Sequence, residues 1–242
     1  MVTLHEAQAD YISRWKKNSL QHFKDGDYDW IASLVEKARV KSIIEIGCGA
    51  GYSTLALASK GIQVFAIDPI PEAIETTMKL LKQFGISVGS YGEKESFEVN
   101  LKQIDAIENY EEVSKYLRRI DAVLICAPGG KLENNLTEKE KVMLRWGKYP
   151  DEQMKKESVF PLHKWAVIMA AARLAKENEK KLIVVDRGTV EELYSALNCV
   201  KTVTEMDGLA MTKRKIQVAP EDGVKLSDCC TELYLGAGLY QP

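Results

Sequence analysis

Ile43-Ile44-Glu45-Ile46-Gly47-Cys48-Gly49-Ala50-Gly51-Tyr52 is a short apolar strand that runs into glycines at every second position. Glycine lets the backbone turn sharply and lets a ligand lie against bare main chain. The next apolar run, Gln63-Val64-Phe65-Ala66-Ile67, closes on Asp68. An acid roughly 20 residues beyond such a turn suits the hydroxyl pair of a ribose. Together these features predict a nucleoside-containing ligand.

Working outward, residues 4–38 read as helix from the spacing of Tyr11, Trp15, Phe23, Trp30, Ile31, Leu34 and Val35. Lys24-Asp25-Gly26-Asp27 divides this stretch in two, with Asp27 or Asp29 available to cap the second helix. Downstream of the glycines, Ser53 to Ser59 fits a helix. Pro69 ends the second strand, and Pro71 opens a helix that Gly85 stops. Ser96 to Ile104 is the favoured third strand and Ile86 to Tyr91 the second choice. Glu111 to Arg118 is a short amphipathic helix. Ile120 to Ala127 is a fourth strand, ended by Pro128-Gly129-Gly130. Residues 131–158 are polar and far longer than a usual strand-to-helix connection. Pro161 to Asn178 reads as helix, Lys181 to Asp186 as a fifth strand and Thr189 to Leu197 as helix. Val200 to Glu205 and Leu209 to Val218 read as a hairpin about Asp207-Gly208. The alternation implies an α/β fold: a doubly wound, seven-stranded, mostly parallel sheet with an antiparallel terminal strand and helices on both faces. One domain is expected, with a helical cap at 1–39, a core at 40–218 interrupted by the 131–158 insertion, and a tail at 219–242.

The bulk composition excludes some function classes. Of 242 residues, 45% are hydrophobic and 28% charged, with a net charge of −2. That balance gives no general basic field for nucleic acid or a membrane surface, and Lys213-Arg214-Lys215 reads as a solvated strand edge. The five cysteines include no Cys-x-x-Cys pair, and no His lies near them at ligand spacing, which argues against zinc. Their odd number suggests reduced thiols in a cytoplasmic protein. No apolar signal core is present, nor any run of the ~20 apolar residues that a membrane span needs.

The glycines narrow the ligand. A dinucleotide turn would need a third glycine where Tyr52 or Thr54 stands, and no Lys-Ser or Lys-Thr follows in phosphate-loop register. Glu45-Ile46-Gly47-Cys48-Gly49-Ala50-Gly51 instead resembles the first motif of the Rossmann-like (class I) S-adenosylmethionine-dependent methyltransferases, and Ile67-Asp68 resembles their second. The resemblance covers about residues 40–218 and implies a site for S-adenosyl-L-methionine. Gly47, Cys48, Gly49 and Gly51 would pass the amino acid end, and the following helix N-terminus would favour its carboxylate. It also implies that Glu45 orients the loop and the ligand's amino group, that Asp68 accepts both ribose hydroxyls, and that Pro69 and Ile70 flank the adenine. Asp105 would meet the adenine amino group. Cys126, Ala127 and Pro128 would line the methionine side and the acceptor's approach.

Methyl transfer from a sulfonium is an in-line displacement, so the protein mainly aligns the reactants and excludes water. Asp186, at the end of the fifth strand, reads as a base or substrate-binding group, or as a plain strand-end cap. His163 reads as a base or as a structural histidine on a helix face. Metal-dependent catechol-type members of the resembled family carry an Asp at the fourth-strand end and Asp-Asn at the fifth. Here the fourth ends Cys126-Ala127-Pro128 and Asp186 precedes Arg187, so a metal-free site is expected. Tyr11 and Trp15 would close over the ligand or pack in the core, and Trp146 and Tyr149 in the insertion would form a substrate lid. The expected activity is methylation of a small-molecule acceptor. The rivals are aminocarboxypropyl or aminopropyl transfer on the same fold and a non-catalytic S-adenosylmethionine-binding module. The segment 234–240 is apolar enough to pack on a neighbour, giving a homodimer, or on its own sheet.

Overall fold

A computed structural model describes residues 4–90, 98–126, 136–147, 159–188, 206–216 and 234–242, with helical backbone also at 190, 193, 197, 200, 201 and 204. Two helices, α1 (Leu4–Lys24) and α2 (Asp27–Lys37), precede β1 (Ser42–Ile46). Then come α3 (Tyr52–Ser59), β2 (Gln63–Asp68), α4 (Pro71–Gln83), β3 (Val88–Ser90), β4 (Val99–Gln103), α5 (Tyr110–Tyr116) and β5 (Ala122–Cys126). The later elements are α6 (Glu138–Trp146), α7 (Val159–Glu177), β6 (Lys181–Gly188), β7 (Asp207–Lys215) and β8 (Tyr234–Gln241).

These strands form one eight-stranded sheet in the order β3-β4-β2-β1-β5-β6-β8-β7. Every neighbouring pair is parallel except those made by β8, which runs antiparallel to both β6 and β7. All five residues of β1 are buried, as a strand covered on both faces requires. On one face Ile43, Val64, Ala66, Leu124 and Val185 pack with α2, α3 and α4. On the other, Ile44, Ile67, Ile125 and Val184 pack with α5 and α7. The cover changes sides between β1 and β5, which makes the carboxyl ends of these strands the topological switch point, the place where ligands settle in open α/β sheets.

The sheet departs from the expected one at both edges. Both candidate third strands form, β3 and β4 side by side, which raises the count from seven to eight. The expected strand Val200 to Glu205 is not one, since Val200 and Thr204 are helical. Thr204 donates its hydroxyl to the Val200 carbonyl at 2.6 Å, an i−4 bond by which threonine settles in a helix. Asp207-Gly208 is not a hairpin turn but the start of β7. The partner of β7 is β8, drawn from the 219–242 tail, and β8 lies between β6 and β7. Residues 234–240 thus pack in their own sheet.

The boundary between α1 and α2 also has its own chemistry. Neither Asp27 nor Asp29 caps α2; Gly26 does so, with φ 73° and no side-chain cap. Asp27 is buried and meets His22 Nδ1 at 2.8 Å and Arg214 Nε at 3.1 Å. Within the insertion, Thr137 and Glu140 form a reciprocal capping box that starts α6. No helix among the described residues is long and apolar enough to cross a membrane.

Candidate functional site

The glycine loop leaves β1 at the switch point. Gly47, Gly49 and Gly51 have φ values of 81°, 57° and 84°, the left-handed region that side chains disfavour. At Gly51 a second constraint applies. A Cβ there would lie 2.9 Å from the Thr77 Cα of α4, so helix and loop meet backbone to backbone. Thr77 also donates to the Gly49 carbonyl at 3.0 Å, tying α4 to the loop. The N–H groups of Gly47 and Cys48 both reach the Ile67 carbonyl, at 2.8 and 3.2 Å. The Gly49 N–H reaches Asp68 Oδ2 at 3.1 Å. These amides are therefore engaged within the protein, and the loop meets a ligand with bare surface and with the start of α3. That helix has no side-chain cap at Gly51, so its first N–H groups and the positive end of its dipole face the loop.

Asp68 ends β2 with 6% of its surface exposed. Oδ1 accepts from Ile70 N–H at 2.9 Å and Oδ2 from Gly49 N–H. Burial pushes its carboxyl pKa up, these two N–H groups oppose the shift, and nearby Asp105 adds to it. A carboxylate offers about four acceptor positions, so two remain for a pair of hydroxyls. Pro69 is exposed and Ile70 half-buried beside it, an apolar margin next to Asp68. Asp105 lies just past β4, where Oδ1 accepts from Ile107 and Glu108 N–H groups at 2.8 and 3.0 Å and caps the turn that follows.

Glu45 braces the loop from behind. It is fully buried, and its two oxygens accept from the hydroxyls of Ser53 and Thr54 at the start of α3, the latter at 2.6 Å. Loss of solvation pushes its pKa up to about 7, against the pull of the two hydroxyls. Cys48 is buried, and its thiol is pushed well above the ordinary range, mainly by loss of solvation. The Cys126 thiol, at the end of β5, is raised for the same reason, with Glu45 and Asp186 adding to it. Both thiols stay protonated at neutral pH and are weak nucleophiles.

Aromatic residues from α1 and α2 cover this edge, a feature that sequence spacing shows only in part. Phe23 packs on Tyr52 with ring centroids 4.9 Å apart, and Tyr28 stacks on Tyr52 at 6.4 Å. Tyr52 stands where a dinucleotide turn would have glycine, and this cluster is what its ring serves. The Tyr28 hydroxyl reaches Ser19 and lies within electrostatic reach of Cys126, Glu45 and Arg187, which places Tyr28 beside the β1–β5 crevice. Trp15 lies on the loop itself, its ring atoms 2.7–3.1 Å from where a Gly49 Cβ would stand.

The remaining candidates divide. Asp186 lies inside β6, which runs on to Gly188, one residue past the Val185 that pairs with Cys126, and it pairs with Lys164 of α7 at 2.5 Å. His163 is the neighbour of Lys164 on α7. It is buried against Glu140 of α6, with Nδ1 3.0 Å from Oε1, so it fastens α6 to α7. Trp146 is partly buried against the core beside α7. Ala127, Tyr149 and the Tyr11 side chain lie outside the described residues. The structure thus gathers Glu45, Gly47 to Gly51, Asp68 to Ile70, Asp105, Cys126 and Asp186 along the carboxyl edge and adds Trp15 and Tyr28, while His163 is engaged with Glu140.

Comparison with known proteins agrees with this geometry. Residues 44–133 match a family described as a methyltransferase domain. The chain is 29% identical over 113 residues to a protein-L-isoaspartate O-methyltransferase of Xylella fastidiosa, covering 45% of this chain and 47% of that protein. It is 33% identical over 106 residues to a probable cobalt-precorrin-6B C(15)-methyltransferase (decarboxylating) of Methanothermobacter thermautotrophicus, covering 44% and 48%. The chain spans about half the length of these curated relatives. Among solved structures, the N-methyltransferase NodS of Bradyrhizobium japonicum, in complex with S-adenosyl-L-homocysteine, superposes with a TM-score of 0.52 at 14% identity, covering 96% of this chain and 97% of that one. A Thermoplasma acidophilum protein superposes with a TM-score of 0.53 at 14% identity, covering 94% and 97%. At such identities the likeness is one of fold. Residues 44–133 thus match a methyltransferase domain, and the fold around them is the one shared by NodS.

Proposed function

We propose that this protein transfers the methyl group of S-adenosyl-L-methionine to a small-molecule acceptor, without a metal. The observation that carries the reading is the Asp68 carboxylate, held by two backbone N–H groups at the lip of the glycine loop with two acceptor positions to spare. Beside it, the uncapped start of α3 suits the carboxylate of an amino acid end. Among the described residues, the groups around the glycine loop and Asp68 are neutral or acidic, which matches a ligand whose own charge includes a cation.

When bound, the sulfonium supplies an already activated methyl group. The protein's share is then alignment and exclusion of water. Asp68 fixes the sugar. Glu45, through Ser53 and Thr54, sets the angle at which α3 meets the loop. Trp15 and Phe23 cover the glycine loop and the start of α3, and the acceptor would approach from the side of β5 and β6. There Cys126 offers a neutral apolar wall, and the Lys164–Asp186 pair offers one charge of each sign to orient a polar acceptor. Trp146 and Tyr149 belong to the insertion that would close on it. The chain's net charge of −2 argues against nucleic acid and favours a small acceptor.

Titration calorimetry with S-adenosyl-L-homocysteine, followed by product analysis after turnover, tests the reading. One bound equivalent and S-adenosylhomocysteine as the product support it. Methylthioadenosine as the product would mean aminocarboxypropyl or aminopropyl transfer, and binding without turnover of any acceptor would mean a binding module.

A further inference from the structure

Helix α1 is held in two different ways along its length. At its base the Arg214 guanidinium of β7 donates to the Asp25 carbonyl at 2.6 Å and to the Gly26 carbonyl at 2.9 Å, and it pairs with buried Asp27 at 3.1 Å. Charge-assisted bonds to a buried partner hold firmly. Farther out, Lys16 meets Glu72 of α4 at 2.6 Å with both side chains substantially exposed, a contact that water and salt weaken. Another outer contact, among the described residues, is Trp15 on Gly49. Trp15 belongs to neither core cluster among the described residues, whereas Phe23, near the base, packs against one. Its ring therefore rests on the ligand loop and not in the core.

The joint between the two helices is Gly26, in the left-handed conformation. From there to Trp15 the helix makes a lever of ~16 Å, so a tilt of ~15° carries the indole ~4 Å, about the thickness of a ring contact. Resting on the cofactor reading above, we propose that α1 is a strap over the cofactor site: Arg214 pins its base, Trp15 latches its outer half onto Gly49, and an adenosyl compound seated on the loop leaves when the latch lifts. Trp15 acts as a wall of the bound site and a gate on its exit.

Stopped-flow release of S-adenosyl-L-homocysteine from the full chain tests this. Trp15→Ala is expected to raise the release rate at least about tenfold, with Trp15→Phe recovering part of the loss. Lys16→Glu, an exposed change that spares the fold, is expected to raise it about threefold, and the charge swap K16E/E72K to restore it. Release within about twofold of wild type in folded Trp15→Ala overturns the strap. Should Trp15→Ala fail to fold, Lys16→Glu decides, since unchanged release there overturns it equally. A wild-type chain that binds no S-adenosyl-L-homocysteine overturns the cofactor reading and the strap together, a result distinct from binding that ignores Trp15.

Discussion

The Gly49 amide donates to Asp68 Oδ2 across 3.1 Å, joining the loop after β1 to the last residue of β2. One carboxylate thus holds the loop in place and keeps acceptor positions free for a sugar. Asp68→Asn keeps the shape and removes the charge. Hydrogen bonds to a charged group are worth about 1.5–3 kcal/mol, so affinity for S-adenosyl-L-homocysteine is expected to fall tenfold or more by calorimetry. Because burial raises the Asp68 pKa, binding to the wild type should weaken on acidification before an exposed aspartate would titrate.

Gly51→Ala tests the packing of the loop on α4. The substitution imposes a left-handed residue and a Cβ 2.9 Å from the Thr77 Cα. Together these cost about 2–4 kcal/mol, read as a lower midpoint in denaturant unfolding at unchanged slope.

Glu45 gives a pH signature. Its pKa is raised from the ordinary carboxylate range to about 7 on folding. The folded state therefore holds a proton that the unfolded state has lost between about pH 4.5 and pH 7, and the contribution of this group declines as pH rises through that window. Glu45→Gln should flatten the fall in melting temperature across it. A pH profile identical in the two proteins would contradict the assignment.

His163 separates a structural part from a catalytic one. The His163–Glu140 pair is buried at the junction of α6 and α7. His163→Ala leaves a buried carboxylate with one partner fewer and should cost about 3–5 kcal/mol of stability. Turnover of the folded fraction should keep the wild-type pH profile, whereas loss of a limb from that profile would identify His163 as a base.

The parts of this molecule that sequence displays are those whose surroundings impose a local pattern. β1 and β2 lie at the sheet centre, covered on both faces, and read as continuous apolar runs. The glycines and Asp68 follow from the same strands. The far edge hides for physical reasons. Val200 and Thr204 are β-branched residues that favour a strand in isolation, yet a helix buries both. β8 contains Gly236 and Gly238, which weaken its strand signal. Those glycines make room, since a Cβ would lie 3.0 Å from Leu193 at one and 2.4 Å from the Tyr240 hydroxyl oxygen at the other. At the site, the placement of Trp15 on Gly49 and of Tyr28 beside Glu45 depends on how α1 and α2 dock on α3, which no local spacing records. His163 shows the converse, a titratable residue whose partner, Glu140, comes from a separate helix.

The most direct measurement is a crystal structure of the chain with S-adenosyl-L-homocysteine. The account predicts both ribose hydroxyls within ~3 Å of the Asp68 carboxylate oxygens and the amino acid end at the start of α3. A sugar seated away from Asp68, or crystals in which the compound is not retained at saturating concentration, would contradict it.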